Sequence, residues 1–263
     1  MILGIIGLGI VGEACRYGFE KLGHKVLCHD IKFDTKIDDI LDTEICYICV
    51  PTPSKEDGGC DVSIVENIVH ELQKKNYAKL IAIKSTVKPT TTERLAKETG
   101  LNLCFVPEFL RERCATSDFT ENHDLLAVGT HDLEHFNLIK ESHGKFPRNI
   151  YQMTPTEAEL LKYYSNIFNS LRITFANEFY EVCKSVGADY SNIKNAFILR
   201  KTTVDMYLDV NDRFRGYGGV CLPKDTAAMA AFTKELNLNM DLFETIEKEN
   251  KKFKTTVFEG MRK

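Results

Sequence analysis

Gly4-Ile5-Ile6-Gly7-Leu8-Gly9-Ile10-Val11-Gly12 opens the chain with a short apolar run that leads straight into three spaced glycines. A helical stretch follows to about Leu22, and Lys25-Val26-Leu27-Cys28-His29 then reads as a second strand closing on Asp30. A bare G-x-G-x-x-G says little. Set between a strand and a helix, with an acid 18 residues beyond Gly12, it is the dinucleotide fingerprint. Gly7 permits the tight turn, Gly9 lets the backbone approach a pyrophosphate, and Gly12 lets helix and strand pack closely. The helix N-terminus then faces the phosphates. Asp30 is placed to accept hydrogen bonds from ribose hydroxyls, and its charge would repel a 2′-phosphate. NAD is therefore expected rather than NADP, with Lys32 nearby working against that preference.

The alternation continues with strands expected at Ile45–Val50, Leu80–Lys84, Leu103–Val106 and Leu125–Val128, and helices at Ser63–Lys75 and Thr91–Thr99. Such a pattern predicts an α/β fold whose N-terminal domain, residues 1–150, is a Rossmann-type, doubly wound parallel sheet. Ligands gather at the carboxyl ends of such strands. Three segments fall there: Val50-Pro51-Thr52-Pro53, Lys84-Ser85-Thr86, and Pro107-Glu108-Phe109-Leu110-Arg111-Glu112.

Residues 151–263 read as an all-helical domain. Thr154-Pro155-Thr156-Glu157 combines an N-cap, a first-turn proline and a capping-box glutamate. The helix should run to about Ser185 and stop at Gly187, roughly 45 Å at 1.5 Å per residue. Leu160, Tyr164, Phe168, Leu171, Phe175, Phe179 and Val182 form one apolar stripe, and Lys162, Asn166, Ser170, Ile173 and Asn177 another. Lys162 and Asn166, one turn apart, are placed to reach a substrate together, or simply to form a solvated face. Further on, Gly216-Tyr217-Gly218-Gly219-Val220-Cys221-Leu222-Pro223-Lys224-Asp225 sets a cysteine on a glycine-rich turn. Pro223 suits a first helical position, with Ala227–Ala231 as the helix body. A thiol just before a helix N-terminus and close to a lysine is expected to have a lowered pKa and to act as a nucleophile, whereas taken alone it reads as a structural cysteine in a tight turn.

The 263 residues are 43% hydrophobic and 27% charged, which suits one large globular domain or two modest ones. A net charge of -4 with interspersed signs argues against a nucleic-acid surface, and no apolar run reaches membrane-spanning length. Met1–Ile6 reads as a strand, not a signal peptide. Nine cysteines without framework spacing fit a reducing, cytoplasmic setting. Cys46 and Cys49 lie three apart on one strand and point to opposite faces, so they form neither a redox pair nor a zinc pair. No metal is expected.

Together these elements resemble the UDP-glucose/UDP-N-acetylmannosamine 6-dehydrogenase family along nearly the whole chain. The resemblance is carried by Gly7–Gly12, Val50–Pro53, Lys84–Thr86, Pro107–Glu112, Glu157-x-Glu159-x-x-Lys162-x-x-x-Asn166, Asn177-Glu178 and Gly216–Asp225. It implies oxidation of a nucleotide-sugar 6-hydroxyl to a carboxylate with two NAD. Cys221 then resembles the nucleophile that captures the aldehyde as a thiohemiacetal, which a second oxidation turns into a thioester. Lys162 and Asn166 resemble the pair that stabilises oxyanion character at the reacting carbon. Asp225 and Thr86 resemble groups that position a water and relay a proton, and Glu112 the carboxylate that assists thioester hydrolysis. Cofactor contacts implied by the resemblance are the loop residues Gly7, Gly9, Ile10, Val11 and Gly12, then Asp30 and Lys32. Val50, Pro51, Thr52, Thr86 and Lys224 complete that set. For the substrate it implies Glu108, Phe109, Leu110 and Arg111, the pair Lys162 and Asn166, and Tyr217 and Gly218. Arg200 is a looser match, because the family's arginine precedes Ile-Gly and here Lys201-Thr202 follow. A homodimer through the long helix is implied as well.

The family continues past the equivalent of residues 241–263 into a second α/β domain that grips UDP. Residues 226–263 read as too short for that, with Asp241-x-x-Glu244 capping a last charged helix. The resemblance thus implies a different grip on the nucleotide, a separate UDP-binding partner, or a chain that is one domain of a longer or split enzyme. Two other readings stay open. β-Hydroxyacid dehydrogenases related to 6-phosphogluconate dehydrogenase have about this length and use a lysine and an asparagine one turn apart, but make one hydride transfer and need no cysteine. A non-catalytic NAD-binding subunit would use Tyr164, Phe168, Phe175 and Phe179 as a dimer interface, unless these are ordinary core.

Overall fold

A computed structural model describes residues 1–255. It divides into two compact units: Met1–Pro53 with Cys60–Lys162, and Ser54–Gly59 with the described residues from Tyr163 onward. The first carries β1 (Ile2–Ile6), α1 (Ile10–Lys21), β2 (Lys25–His29), β3 (Ile45–Ile48), α2 (Ser63–Lys74) and β4 (Leu80–Ile83). It continues with α3 (Thr91–Thr99), β5 (Leu103–Phe105), α4 (Ala115–Thr120), β6 (Leu125–Gly129), α5 (Leu133–His143) and β7 (Asn149–Met153). The first turns of α6 (Pro155–Ser185) also belong to it.

The seven strands form one sheet in the order β2-β1-β3-β4-β5-β6-β7. Its central strands are short apolar runs buried on both faces, as a sheet covered by helices requires. Alternate residues of β3 feed separate cores: Ile45 and Tyr47 pack with Phe19 and Leu126 on one face, Cys46 and Ile48 with Val69 and Leu95 on the other. Cys49 packs with the first cluster and Cys46 with the second, as their spacing predicts. The strand order reverses between β1 and β3, which makes a switch-point crevice beside the glycine loop.

One pairing departs from the expected all-parallel sheet. β5 and β6 meet antiparallel, through Phe105 opposite Gly129, while β6 and β7 are parallel. The helix between β5 and β6, α4, has only six residues.

The second unit contains the rest of α6, α7 (Tyr190–Phe197), α8 (Cys221–Glu235) and α9 (Leu242–Asn250). The α6 capping box forms as read: Thr154 N–H donates to Glu157 Oε2 at 2.7 Å, and Glu157 N–H to Thr154 Oγ1 at 3.2 Å. Gly187 follows its end in the left-handed region, φ +73. α8 starts earlier than expected, with Cys221 as its first residue and Pro223 third. Proline is tolerated there because first-turn N–H groups have no intrahelical acceptor. Asp241 takes the N-cap position of α9 but makes no side-chain capping bond, so it does not cap that helix as read.

Candidate active site

The glycine loop is built by contacts that only glycine allows. Gly7 has φ +93, and a Cβ there would come 2.8 Å from Cys49 O. A Cβ on Gly12 would fall 1.9 Å from Gly7 O, whereas a Cβ on Gly9 would meet nothing within 4 Å. The loop is therefore shut beneath Gly12 and open above Gly9, the shape a phosphate-binding turn needs. Asp30 Oδ2 accepts the Leu8 N–H at 2.7 Å, and Oδ1 the Lys32 N–H at 2.9 Å. Burial works to raise the Asp30 pKa, but these N–H donors and nearby Lys32 outweigh it and hold the carboxyl below its ordinary range. Asp30 thus braces the glycine loop as well as standing at the end of β2. Ser85 Oγ donates to Val50 O at 2.7 Å, which ties the β3 and β4 termini together; Thr52 is buried and Thr86 half-buried beside them.

At the end of β5, Glu108 and Lys162 form a buried ion pair. Lys162 Nζ donates to Glu108 Oε1 at 2.8 Å and to Glu108 O at 2.6 Å, and lies 5.7 Å from the Phe109 ring centroid. Burial pushes the Glu108 pKa up; the Lys162 ammonium and the Leu110 N–H, 2.7 Å from Oε2, overcome that and keep it ionised. Arg111 is held by Asp118, a buried carboxylate that sequence reading missed. Its backbone N–H and Nε reach Oδ2 at 2.9 and 3.0 Å, and its terminal nitrogen Oδ1 at 2.7 Å. The bidentate geometry fixes the guanidinium plane. Glu112 is exposed on the next turn and lines a cavity of about 520 Å³ with Ile10, Glu13 and Tyr17.

In the second unit, Cys221 is exposed in the first turn of α8, and Asp225 lies one turn on with 1% of its surface exposed. Asn166 Nδ2 donates to Asp225 Oδ2 at 2.6 Å. Lys224 Nζ lies 2.8 Å from Asp225 Oδ1 in poor hydrogen-bond geometry. The two buried atoms thus meet as an ion pair. Lys162 and Asn166 therefore share a helix face but serve different carboxylates. Arg200 is exposed on the turn after α7, joined through its backbone to Phe197 and Thr203. Tyr217 is buried and Gly218 half-buried in the approach to α8. Asn250, to which no local pattern points, bonds both polar backbone atoms of Tyr217.

Two family models match the chain in turn. Residues 31–147 match the NAD binding domain of the UDP-glucose/GDP-mannose dehydrogenase family, and residues 156–252 its central domain. A UDP-glucose 6-dehydrogenase of Rickettsia bellii is 29% identical, over 95% of this chain and 67% of its own length. The solved structure of a UDP-glucose dehydrogenase from Pyrobaculum islandicum is 29% identical, with TM-score 0.86, over 95% of this chain and 68% of that one. A 3-hydroxyisobutyrate dehydrogenase of Mycobacterium tuberculosis shares the fold alone: TM-score 0.78 at 14% identity, over 96% of this chain and 93% of that one. The chain spans about two thirds of the length of the nucleotide-sugar relatives.

Proposed function

Because the chain belongs to the UDP-glucose/GDP-mannose dehydrogenase family, we propose that it carries out the NAD-dependent oxidation of a nucleotide-sugar 6-hydroxyl to a carboxylate. The observation that carries this reading is Cys221, an exposed thiol in the first turn of α8, one turn ahead of the buried Asp225–Asn166 pair. NAD, when bound, accepts the hydride in each of two oxidations, alcohol to aldehyde and then thiohemiacetal to thioester. The residues of the glycine loop fit it, since the space over Gly9 is open and an ionised Asp30 stands at the end of β2. That negative charge would also repel a 2′-phosphate.

Cys221 adds its sulfur to the aldehyde carbon and later leaves when water cleaves the thioester, so the aldehyde stays bound between the two steps. Lys162 and Asn166 serve as the cation and the amide donor that stabilise oxygen charge at the reacting carbon. Asp225, with Thr86, orients the attacking water and takes its proton, and Glu112 assists as a base. Glu108–Arg111 and Tyr217-Gly218 contact the sugar, and Lys224 the cofactor. Arg200 is assigned to the sugar held by a second copy. That copy is proposed to pack on the exposed apolar stripe of α6, and a separate chain to supply a grip on UDP.

The test is a panel of nucleotide sugars with NAD, run with and without candidate UDP-binding proteins. Two NADH per sugar are expected, and Cys221→Ser should stall at or before the thioester. The likeness to 3-hydroxyisobutyrate dehydrogenase keeps one competing class in view. One NADH per β-hydroxyacid, insensitive to Cys221→Ser, would establish that class instead. Binding of NAD with no turnover on any substrate would leave a non-catalytic subunit.

A further inference from the structure

The chain enters α8 through residues 215–220, and two buried side-chain amides hold that approach. Asn250, the last residue of α9, accepts the Tyr217 N–H on Oδ1 at 2.8 Å and donates from Nδ2 to Tyr217 O at 2.8 Å. A side-chain amide carries the same donor and acceptor as a peptide group, so Asn250 acts as one rung of a strand pairing. Thr255 Oγ1 adds a second donor to Tyr217 O at 3.4 Å. From α6, the fully buried Asn177 accepts the Gly216 N–H at 3.1 Å and Arg215 Nε at 2.8 Å. Gly216 has φ +56, and a Cβ there would lie 3.0 Å from Asn250 Oδ1. The strap is thus pressed against the amide that binds it.

Beyond the thiol, α8 is pinned independently. Asp225 accepts from Asn166, and Thr226 Oγ1 donates to Leu222 O at 2.8 Å and lies 3.2 Å from Ser170 Oγ. Between the two anchors lie Gly218, Gly219 and Val220, then Cys221. Gly219 takes φ +81, and glycines restrain their own backbone least of all residues. Without the grip on Tyr217, the start of α8 would be fixed from one side only.

We infer that Asn250 is a positioning residue for the Cys221 thiol, holding Tyr217 so that the chain enters α8 with Cys221 in its first turn. Its consequence for turnover rests on the proposed role of Cys221 as nucleophile; the clamp itself does not. Asn250→Asp keeps the size and one acceptor but sets a carboxylate oxygen against Tyr217 O. The experiment follows alkylation of Cys221 by iodoacetamide, peptide by peptide in the mass spectrometer, with Cys114 as internal control. Release of the strap withdraws the thiolate from the helix N-terminus, so the Cys221 rate should fall about fivefold or more while Cys114 is unchanged. An unchanged Cys221 rate, or equal slowing at Cys114, would overturn the inference. In the same variant, kcat on a nucleotide sugar should fall about tenfold with KM for NAD unchanged, as for a misplaced nucleophile. If the parent protein shows no turnover while the Cys221 rate still falls, the proposed function fails and the clamp stands. Should Asn250→Asp not fold, amide exchange in the parent protein decides. Slow exchange at the Tyr217 N–H supports the clamp, and exchange as fast as at exposed Val220 refutes it.

Discussion

On one face of α6, Glu159, Lys162, Asn166, Ser170 and Asn177 are buried; on the other, Tyr164, Phe168 and Phe175 are 72%, 47% and 55% exposed. Tyr163, Ile167, Ala176 and Cys183 are buried beside the polar groups, but the aromatic stripe itself faces outward, against the usual rule for a packed helix. The inversion is tolerable because each inward polar group has a partner. Glu159 accepts from Thr90 and Thr92, Lys162 donates to Glu108, Asn166 to Asp225, and Asn177 accepts from Gly216. Partnered polar groups avoid the desolvation cost that would expel them from an interior. The outward aromatics instead stack on each other, Tyr164 on Phe168 and Phe175 near Phe179. An exposed apolar stripe is the kind of surface that the proposed second copy would cover. The long helix thus carries two faces: one of buried, partnered polar groups, and one of exposed aromatics on which the proposed second copy would pack.

The sharpest way to break this comparison is to remove one inward donor. Asn166→Leu leaves the Asp225 carboxylate buried without it, and stability should fall by about 3 kcal/mol in urea unfolding. A loss under 0.5 kcal/mol would mean that the polar face is not held by its pairing. Glu159 tests the same face through pH. Burial raises its pKa to about 7, against the bonds from Thr92 and Thr90, which lower it. A raised carboxyl binds more protons folded than unfolded, so its contribution is full below about 4.5 and is lost as pH rises through 7. Relative to the parent, Glu159→Gln should remove a stability decline of about 3 kcal/mol across that window. Equal slopes in the two proteins would show that Glu159 is not titrating there. The smallest stability change belongs to the outward face. Phe175→Glu should alter the unfolding free energy by about 0.5 kcal/mol or less, yet reduce a dimer to monomer in sedimentation. A large destabilisation with no change of mass would make that face core.

Much of the first unit was legible along the chain. The glycine loop, the strands from Leu80 and Leu103 and the helix from Thr91 to Thr99 depend on local steric rules and apolar runs. So does the capped start of α6 at Thr154. β7 was missed because Asn149-Ile150-Tyr151-Gln152-Met153 lies at the sheet edge, half in solvent, and carries no apolar run. The start of α8 was misplaced because Pro223 is acceptable anywhere in a first turn. The sequence offered both stripes of α6 but no rule for choosing which one faces inward. Asp118 and Asn250 had no pattern at all, since a single polar residue looks the same whether it meets water or a backbone 33 residues away.

By itself, then, the sequence determined the dinucleotide loop at Gly7–Gly12, the alternating α/β order and the chemical types around Cys221. Those features rest on glycine sterics, hydrogen-bond periodicity and residue type along the chain, all of which act over a few residues. Tertiary structure alone decided that β6 runs against β5 and that the polar face of α6 turns inward. It also decided that the approach to Cys221 is held by an asparagine at the far end of α9. Each of those depends on which distant group satisfies a buried donor or acceptor, and no local property of the chain encodes that choice.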